Sequence, residues 1–364
     1  MIKLFLAVLI GFYFSSSCYA TESKSLNIYN WANYIDPQLI KQFEEETGIK
    51  VTYDVYDSNY FLESKLMVAS SGGYDIVVPS TSPFLIRQIN FGLYQKIDKT
   101  KLANYKNLDQ NMLKIIANHG NAAEYSVPYS WNSTVIGYNV DEMKKRMKDV
   151  SPNSWGLVFN PEIVEKFASC GVEIIDSPME VIAMTLAYYG KEPYGDSLED
   201  LEFASEKLSH IRKYIKSINS SSYVDNLANG ETCLVIGFSG DIVQARNRAR
   251  EAKNNVNIKV LYPKEANEVG VDAMAILANA PNVENAYKFI DFILRPEVSA
   301  KITNYTSYPT INKASLEYIE DEILKDDDII LDISKLGKTY IAGLSSPKYE
   351  KARTKIWLKF ISNH

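Results

Sequence analysis

Short runs of alternating apolar and polar residues give way repeatedly to helical periodicity along this chain. Leu26 and Ile28 alternate with polar neighbours as a short strand does. Asp36-Pro37 then supplies a helix start, because proline suits the first helical position. Leu39, Ile40 and Phe43 continue a helical stripe that Gly48 stops, and residues 49–56 are β-rich. A second helix is predicted over 59–70, with Phe61, Leu62, Leu66 and Met67 on one face and Gly72-Gly73 closing it. Residues 75–78 form a predicted buried strand that runs into the hydroxyl-rich turn Pro79-Ser80-Thr81-Ser82. Alternation of β and α elements implies a mostly parallel sheet with right-handed crossovers.

Residues 126–138 are extended and lack any helix signal, as a connection between two lobes would be. A second α/β series follows: strand 172–175, helix 178–189, a long amphipathic helix near 198–218, strand 232–238 and helix 241–252. Strand 256–261 and the apolar run 271–277 read as a return to the first lobe. The chain ends in helix, and its basic stretch 348–359 reads as a solvated helix face. The predicted organisation is lobe 1 over 21–131, lobe 2 over 132–255, lobe 1 again over 256–310, and lobe 2 over 311–364. Two lobes with more than one crossover make a hinged clamp.

The N-terminus changes where such a clamp would work. Lys3 precedes an apolar run, residues 4–14, that is too short to span a bilayer. Cys18-Tyr19-Ala20 offers the small residues a signal peptidase reads, so residues 1–20 are expected to be a signal peptide. Cys18 as a lipoprotein cysteine is the alternative, although Ser15-Ser16-Ser17 lacks the aliphatic residue that motif wants. The formal charge of −6 comes without basic clusters, which argues against nucleic acid and is compatible with a cationic ligand. Cys170 and Cys233 are the cysteines left after processing. In an exported chain they read as one disulfide, with two buried thiols as the alternative.

Candidate chemistry is thin for an enzyme. His119, His210 and His364 are the only histidines, and no phosphate loop, nucleophile elbow or metal-spaced His/Cys set appears. No cofactor or metal is expected. Three acids stand out instead. Asp272 interrupts the apolar run 271–277, where a buried charge is costly unless paired, which points to a functional acid in a cleft; a solvated strand end is the alternative. Asp241 follows Phe238-Ser239-Gly240 at a strand-to-helix switch, where an N-cap would explain it as well. Glu180 stands three residues after Ser177, a capping-box spacing. Tyr29, Trp31 and Tyr34 gather where the first strand hands over to its helix, the side on which open α/β folds keep their ligands. With Phe238 and Tyr308 they offer aromatic walls between separated carboxylates, an arrangement that suits a slender dication.

Several segments in order extend this picture: Ile28-Tyr29-Asn30-Trp31, FEEETGIKVTYD at 43–54, DIVVPS at 75–80, IGYNV at 136–140, Ser169-Cys170-Gly171-Val172, DNLANG at 225–230, residues 236–241 and Leu294-Arg295-Pro296. Together they resemble the periplasmic putrescine/spermidine-binding proteins of bacterial ABC importers over essentially the whole mature chain. The resemblance implies a type II periplasmic binding protein fold, α/β with two lobes, and a ligand held between them. It implies ligand contacts from Trp31, Tyr34, Ser80, Ser82, Glu180, Ser220, Phe238, Asp241, Asp272 and Tyr308, and a disulfide between Cys170 and Cys233. It further implies a periplasmic location, a polyamine such as putrescine as ligand, and an inner-membrane ABC permease as partner. Ala32 and Asn33 stand where the family's putrescine receptors have Ser and Asp, Phe238 stands for Trp, and Gly270 or Val271 replaces an aromatic residue. These departures predict a roomier pocket with looser selectivity. An exported carboxylate-dependent hydrolase and a polyamine-sensing module are the competing readings.

Overall fold

The computed structural model describes residues 23–68, 73–117, 120–148, 152–331 and 336–362. The predicted signal peptide, Cys18, His119 and His364 lie outside them. Two five-stranded sheets dominate the architecture. The first contains β1 (Ser25–Trp31), β2 (Lys50–Tyr56), β3 (Ile76–Val77), β4 (Ser126–Asn132) and β11 (Gly270–Ile276), in the order β2-β1-β3-β11-β4. The second contains β5 (Thr134–Asn139), β6 (Val172–Ile174), β7 (Ser217–Ile218), β8 (Leu234–Phe238) and β9 (Ile258–Leu261), in the order β7-β6-β8-β5-β9. In each sheet three parallel strands are followed by one antiparallel strand that continues from a crossover. A small parallel ribbon pairs β10 (Asn267–Glu268) with β12 (Thr339–Tyr340).

Local chemistry explains the elements that frame the cleft. The helix Pro37–Thr47 begins where the Asp36 carboxylate caps the Gln38 N–H at 2.9 Å. It ends at Gly48, whose φ of 70° is the left-handed conformation glycine tolerates. Leu39 and Phe43 bury its inner face against the first sheet. The second sheet is covered by the almost wholly buried helix Pro178–Tyr188 and by Leu198–Ile211. The Cys170–Cys233 disulfide ties the start of β6 to the start of β8, with Cα atoms 5.6 Å apart.

The extended stretch 126–138 does connect the two lobes, as two strands, β4 in one sheet and β5 in the other, with Ser133 at the crossing. Three sequence expectations need correction. The helix expected to run to Ile218 stops at Ile211, because Ser217 and Ile218 pair with β6. Strand β9 does not return to the first lobe. It pairs antiparallel with β5, Ile136 opposite Leu261, so the second sheet extends beyond residue 255. Nor does residue 311 begin a return to lobe 2: Ile311 belongs to the first lobe's core, and its carbonyl accepts from the Asp109 N–H at 2.9 Å. The return comes later, with the helix Pro347–Ser362, which buries Tyr349, Trp357 and Phe360 on the second core. Lys351, Lys355 and Lys359 are solvated on that helix, but Arg353 is buried.

A candidate ligand-binding cleft

The two sheets face each other across a cleft of ≈ 450 Å³. All ten residues singled out in the sequence line it: Trp31, Tyr34, Ser80, Ser82, Glu180, Ser220, Phe238, Asp241, Asp272 and Tyr308. Strand β1 ends at Trp31, so the aromatic cluster projects from the carboxyl edge of the sheet. The Trp31 indole N–H is committed to the Val78 carbonyl at 2.9 Å, which fixes the ring and leaves its face as the usable surface. Tyr56 packs beside it at 4.8 Å between ring centroids.

Asp272 is only 3% exposed and sits in a fully built hydrogen-bond cradle. Ser80 Oγ donates to it at 2.6 Å, the Tyr34 hydroxyl at 2.7 Å and Asn132 Nδ2 at 3.1 Å. Burial raises its pKa to about 6 against the pull of those donors, and nearby Glu180 pushes the same way. Asp241, half-buried in the first turn of the helix Ser239–Ala252, receives the hydroxyls of Tyr223 and, at 2.7 Å, Tyr308. It is therefore not an N-cap; burial lifts its pKa and the two phenols draw it back. Tyr34 and Tyr308 meet edge to face, with centroids 4.8 Å apart, so a tyrosine pair separates the two acids.

These contacts change the expected roles. Tyr34 and Tyr308 are buried donors that hold the carboxylates, while Trp31 and Phe238 keep partly exposed faces. The Ser82 hydroxyl is used on the Ala342 carbonyl. Ser220 Oγ accepts from the Asp176 N–H at 3.1 Å and retains its own proton to donate. Ser177 makes no capping bond to the backbone of its helix; its hydroxyl goes to the Glu180 carboxylate. Glu180 is 6% exposed, and its pKa is raised by burial and drawn back by Ser177, its own N–H and Arg353.

A bacterial extracellular solute-binding protein model matches residues 38–330. The chain belongs to that family. It is 43% identical over 342 residues to a putrescine-binding periplasmic protein of Escherichia coli (strain K12), covering 93% of this chain and 92% of that one. It is 41% identical to a putrescine-binding periplasmic protein of Pseudomonas aeruginosa (strain UCBPP-PA14), covering 99% and 98% respectively. Among solved structures, a spermidine/putrescine ABC transporter substrate-binding protein of Streptococcus pneumoniae superposes with a TM-score of 0.74 at 26% identity, covering 93% of this chain and 99% of that one. The two-sheet architecture is that of the periplasmic binding proteins.

Sequence reasoning missed several residues of the cleft. Asn132, which lines the cleft, donates to Asp272, and Tyr223, buried behind the lining, donates to Asp241; neither carries any local signal. Glu268 is the largest omission: it is 5% exposed, lines the cleft and stands near both Glu180 and Asp272. Its signal was present as the alternation Glu268-Val269-Gly270-Val271-Asp272, which puts both acids on one side of an extended chain.

Proposed function

We propose that this protein is the extracytoplasmic receptor of a polyamine importer. It captures putrescine, with spermidine as a further ligand, between its lobes and delivers it to an ABC permease. One observation carries the reading: Glu180, Asp241, Glu268 and Asp272 line one cleft with Asp57 at its mouth, and no lysine, arginine or histidine is among the described lining residues. Asp272 and Asp241 lie on either side of the Tyr34–Tyr308 pair and would take the two ammonium ends. Trp31 and Phe238 would wall the methylene chain, with Ser80, Ser82 and Ser220 supplying polar edges. Each ammonium–carboxylate hydrogen bond is worth roughly 1.5–3 kcal/mol and each cation–π contact about 0.5–2 kcal/mol.

In this reading the acids bind and do not catalyse, so the ligand leaves the cleft unchanged. Residues 1–20 would direct export to the periplasm. Titration calorimetry with putrescine, cadaverine, agmatine, spermidine and spermine tests the reading. The expected result is putrescine binding at micromolar or tighter affinity, with spermidine within about tenfold, a gap of ~1.4 kcal/mol. A panel with no binding would overturn the proposal. Uptake of labelled putrescine in a deletion strain separates an importer's receptor from a sensor on the same fold.

A further inference from the structure

The segment that links β10 to β11 has a one-sided design. Val269 and Val271 are each 4% exposed and enter the first lobe's core, so Glu268, Gly270 and Asp272 face the cleft at alternate positions. Four residues of extended chain put the two acids about 13 Å apart along the backbone. Gly270 keeps the stretch between them bare; a Cβ there would lie 2.8 Å from Asn132 Oδ1. The cleft floor is thus an open track with a carboxylate at each end.

Among the described lining residues no cation balances the Glu268 end. Thr134 Oγ1 donates to Glu268 at 3.0 Å, and Tyr194 stands beside it. The charged groups that face it are Glu180 and Asp272, both of like sign. Arg353, the nearby cation, acts on Glu180 and is already engaged by Glu350 at 2.5 Å. Burial and the two neighbouring acids raise Glu268 to about 8, so it holds a proton at neutral pH until a cation arrives. Among the described residues no group of three or more His, Cys, Asp or Glu could hold a metal ion. Acids spaced along a track suit separate nitrogens on one flexible chain.

Resting on the polyamine reading above, we propose that Glu268 is a specificity-determining residue that receives the additional ammonium of a linear triamine lying along Gly270. A diamine spans Asp241 and Asp272 and leaves Glu268 unused. A triamine of the spermidine kind reaches all three, so Glu268 sets the ratio of triamine to diamine affinity.

Calorimetry of the full chain with putrescine and spermidine, on wild type and Glu268→Gln, tests this. Glu268→Gln is expected to weaken spermidine at least tenfold and putrescine less than threefold. A second readout needs no variant: titration at pH 7 in buffers of different ionisation heat counts protons released on binding. Spermidine should release close to one more proton than putrescine, because only spermidine ionises Glu268. Equal losses for the two ligands together with equal proton counts would overturn the role of Glu268 while leaving the polyamine reading intact. Absence of binding by either amine to the wild type would instead remove the reading on which it rests.

Discussion

At the scale of single residues, environment gives chemically similar acids different tasks. Asp272 is the most enclosed, with three side-chain donors converging on its two oxygens. Asp272→Asn turns that cradle against itself, since an amide cannot accept from all three donors, and it leaves a ligand ammonium without its partner. Glu180→Gln keeps an acceptor for Ser177. Putrescine affinity should therefore fall at least a hundredfold in the first variant, ~2.7 kcal/mol, and about tenfold or less in the second. Reversed losses in a calorimetric comparison would show the ranking to be wrong.

The same acids set a pH dependence. Asp272 at about 6 and Glu268 at about 8 both lie above ordinary carboxylate values. In the unliganded protein their contribution to folding stability is full below the usual carboxylate range and is lost as pH rises through about 6 and then about 8. A cationic ligand needs the ionised forms, so binding drives the protons off and affinity climbs with pH. The groups that modulate this are Glu180, Thr134, Tyr194 and Asp272 around Glu268, and Ser80, Tyr34, Asn132 and Glu180 around Asp272. Spermidine affinity should rise at least tenfold between pH 5 and pH 8, ~1.4 kcal/mol. A flat profile over that interval would contradict these proton positions.

At the scale of elements, the junction of helix and wall is the tight point. The helix Ser239–Ala252 starts against the Tyr308 ring, and a Cβ on Gly240 would sit 2.5 Å from that ring. Tyr308 is buried and tied to Asp241, so it cannot swing aside without releasing the acid. Gly240→Ala should cost about tenfold in putrescine affinity, while a nearby solvent-facing change such as Arg250→Ala should cost none. The disulfide acts on stability instead. It closes a loop with a sequence separation of 63 between the edges of β6 and β8. A Cys170→Ser, Cys233→Ser double variant should lose roughly 3–5 kcal/mol in urea unfolding on the chain-entropy argument. Intact stability in that variant would mean that the unfolded chain gains little freedom from reduction.

At the scale of the whole molecule, the lobes communicate through their crossings and across the mouth. Ser133 and Ser239 exchange hydrogen bonds at the first crossing, with the Ser239 N–H to the Ser133 carbonyl at 2.9 Å. Across the mouth, Ser221 Oγ donates to Asp57 Oδ2 at 2.6 Å, joining the loop after β2 to the loop before the helix Tyr223–Ala228. That bond forms only when the lobes are together, so it biases the closed population without entering either core. Asp57→Ala should raise Kd two- to tenfold, chiefly through faster release, with an unchanged unfolding midpoint in the absence of ligand. Stopped-flow dissociation together with thermal melts checks both halves of that statement.

What the sequence by itself determined was local or paired with a local signal. Asp36-Pro37 and Gly48 mark the ends of a helix because capping is decided within a few residues. Alternation around Leu26 and Ile28, and the run that Asp272 interrupts, marked strands because side-chain direction repeats every second residue. Ten residues of the cleft were legible chiefly because they match a family pattern, with a local signal besides at a strand end such as Trp31. Tertiary structure decided what depends on distant partners. The placement of β9 in the second sheet follows from pairing with β5, more than 100 residues earlier, and nothing in residues 256–261 encodes that choice. Asp241 is a tyrosine-held acid and not a cap because Tyr223 and Tyr308 arrive from elsewhere in the chain. Glu268 becomes part of the cleft because Glu180, on a helix of the other lobe, is brought up against it, and long-range packing alone makes that encounter.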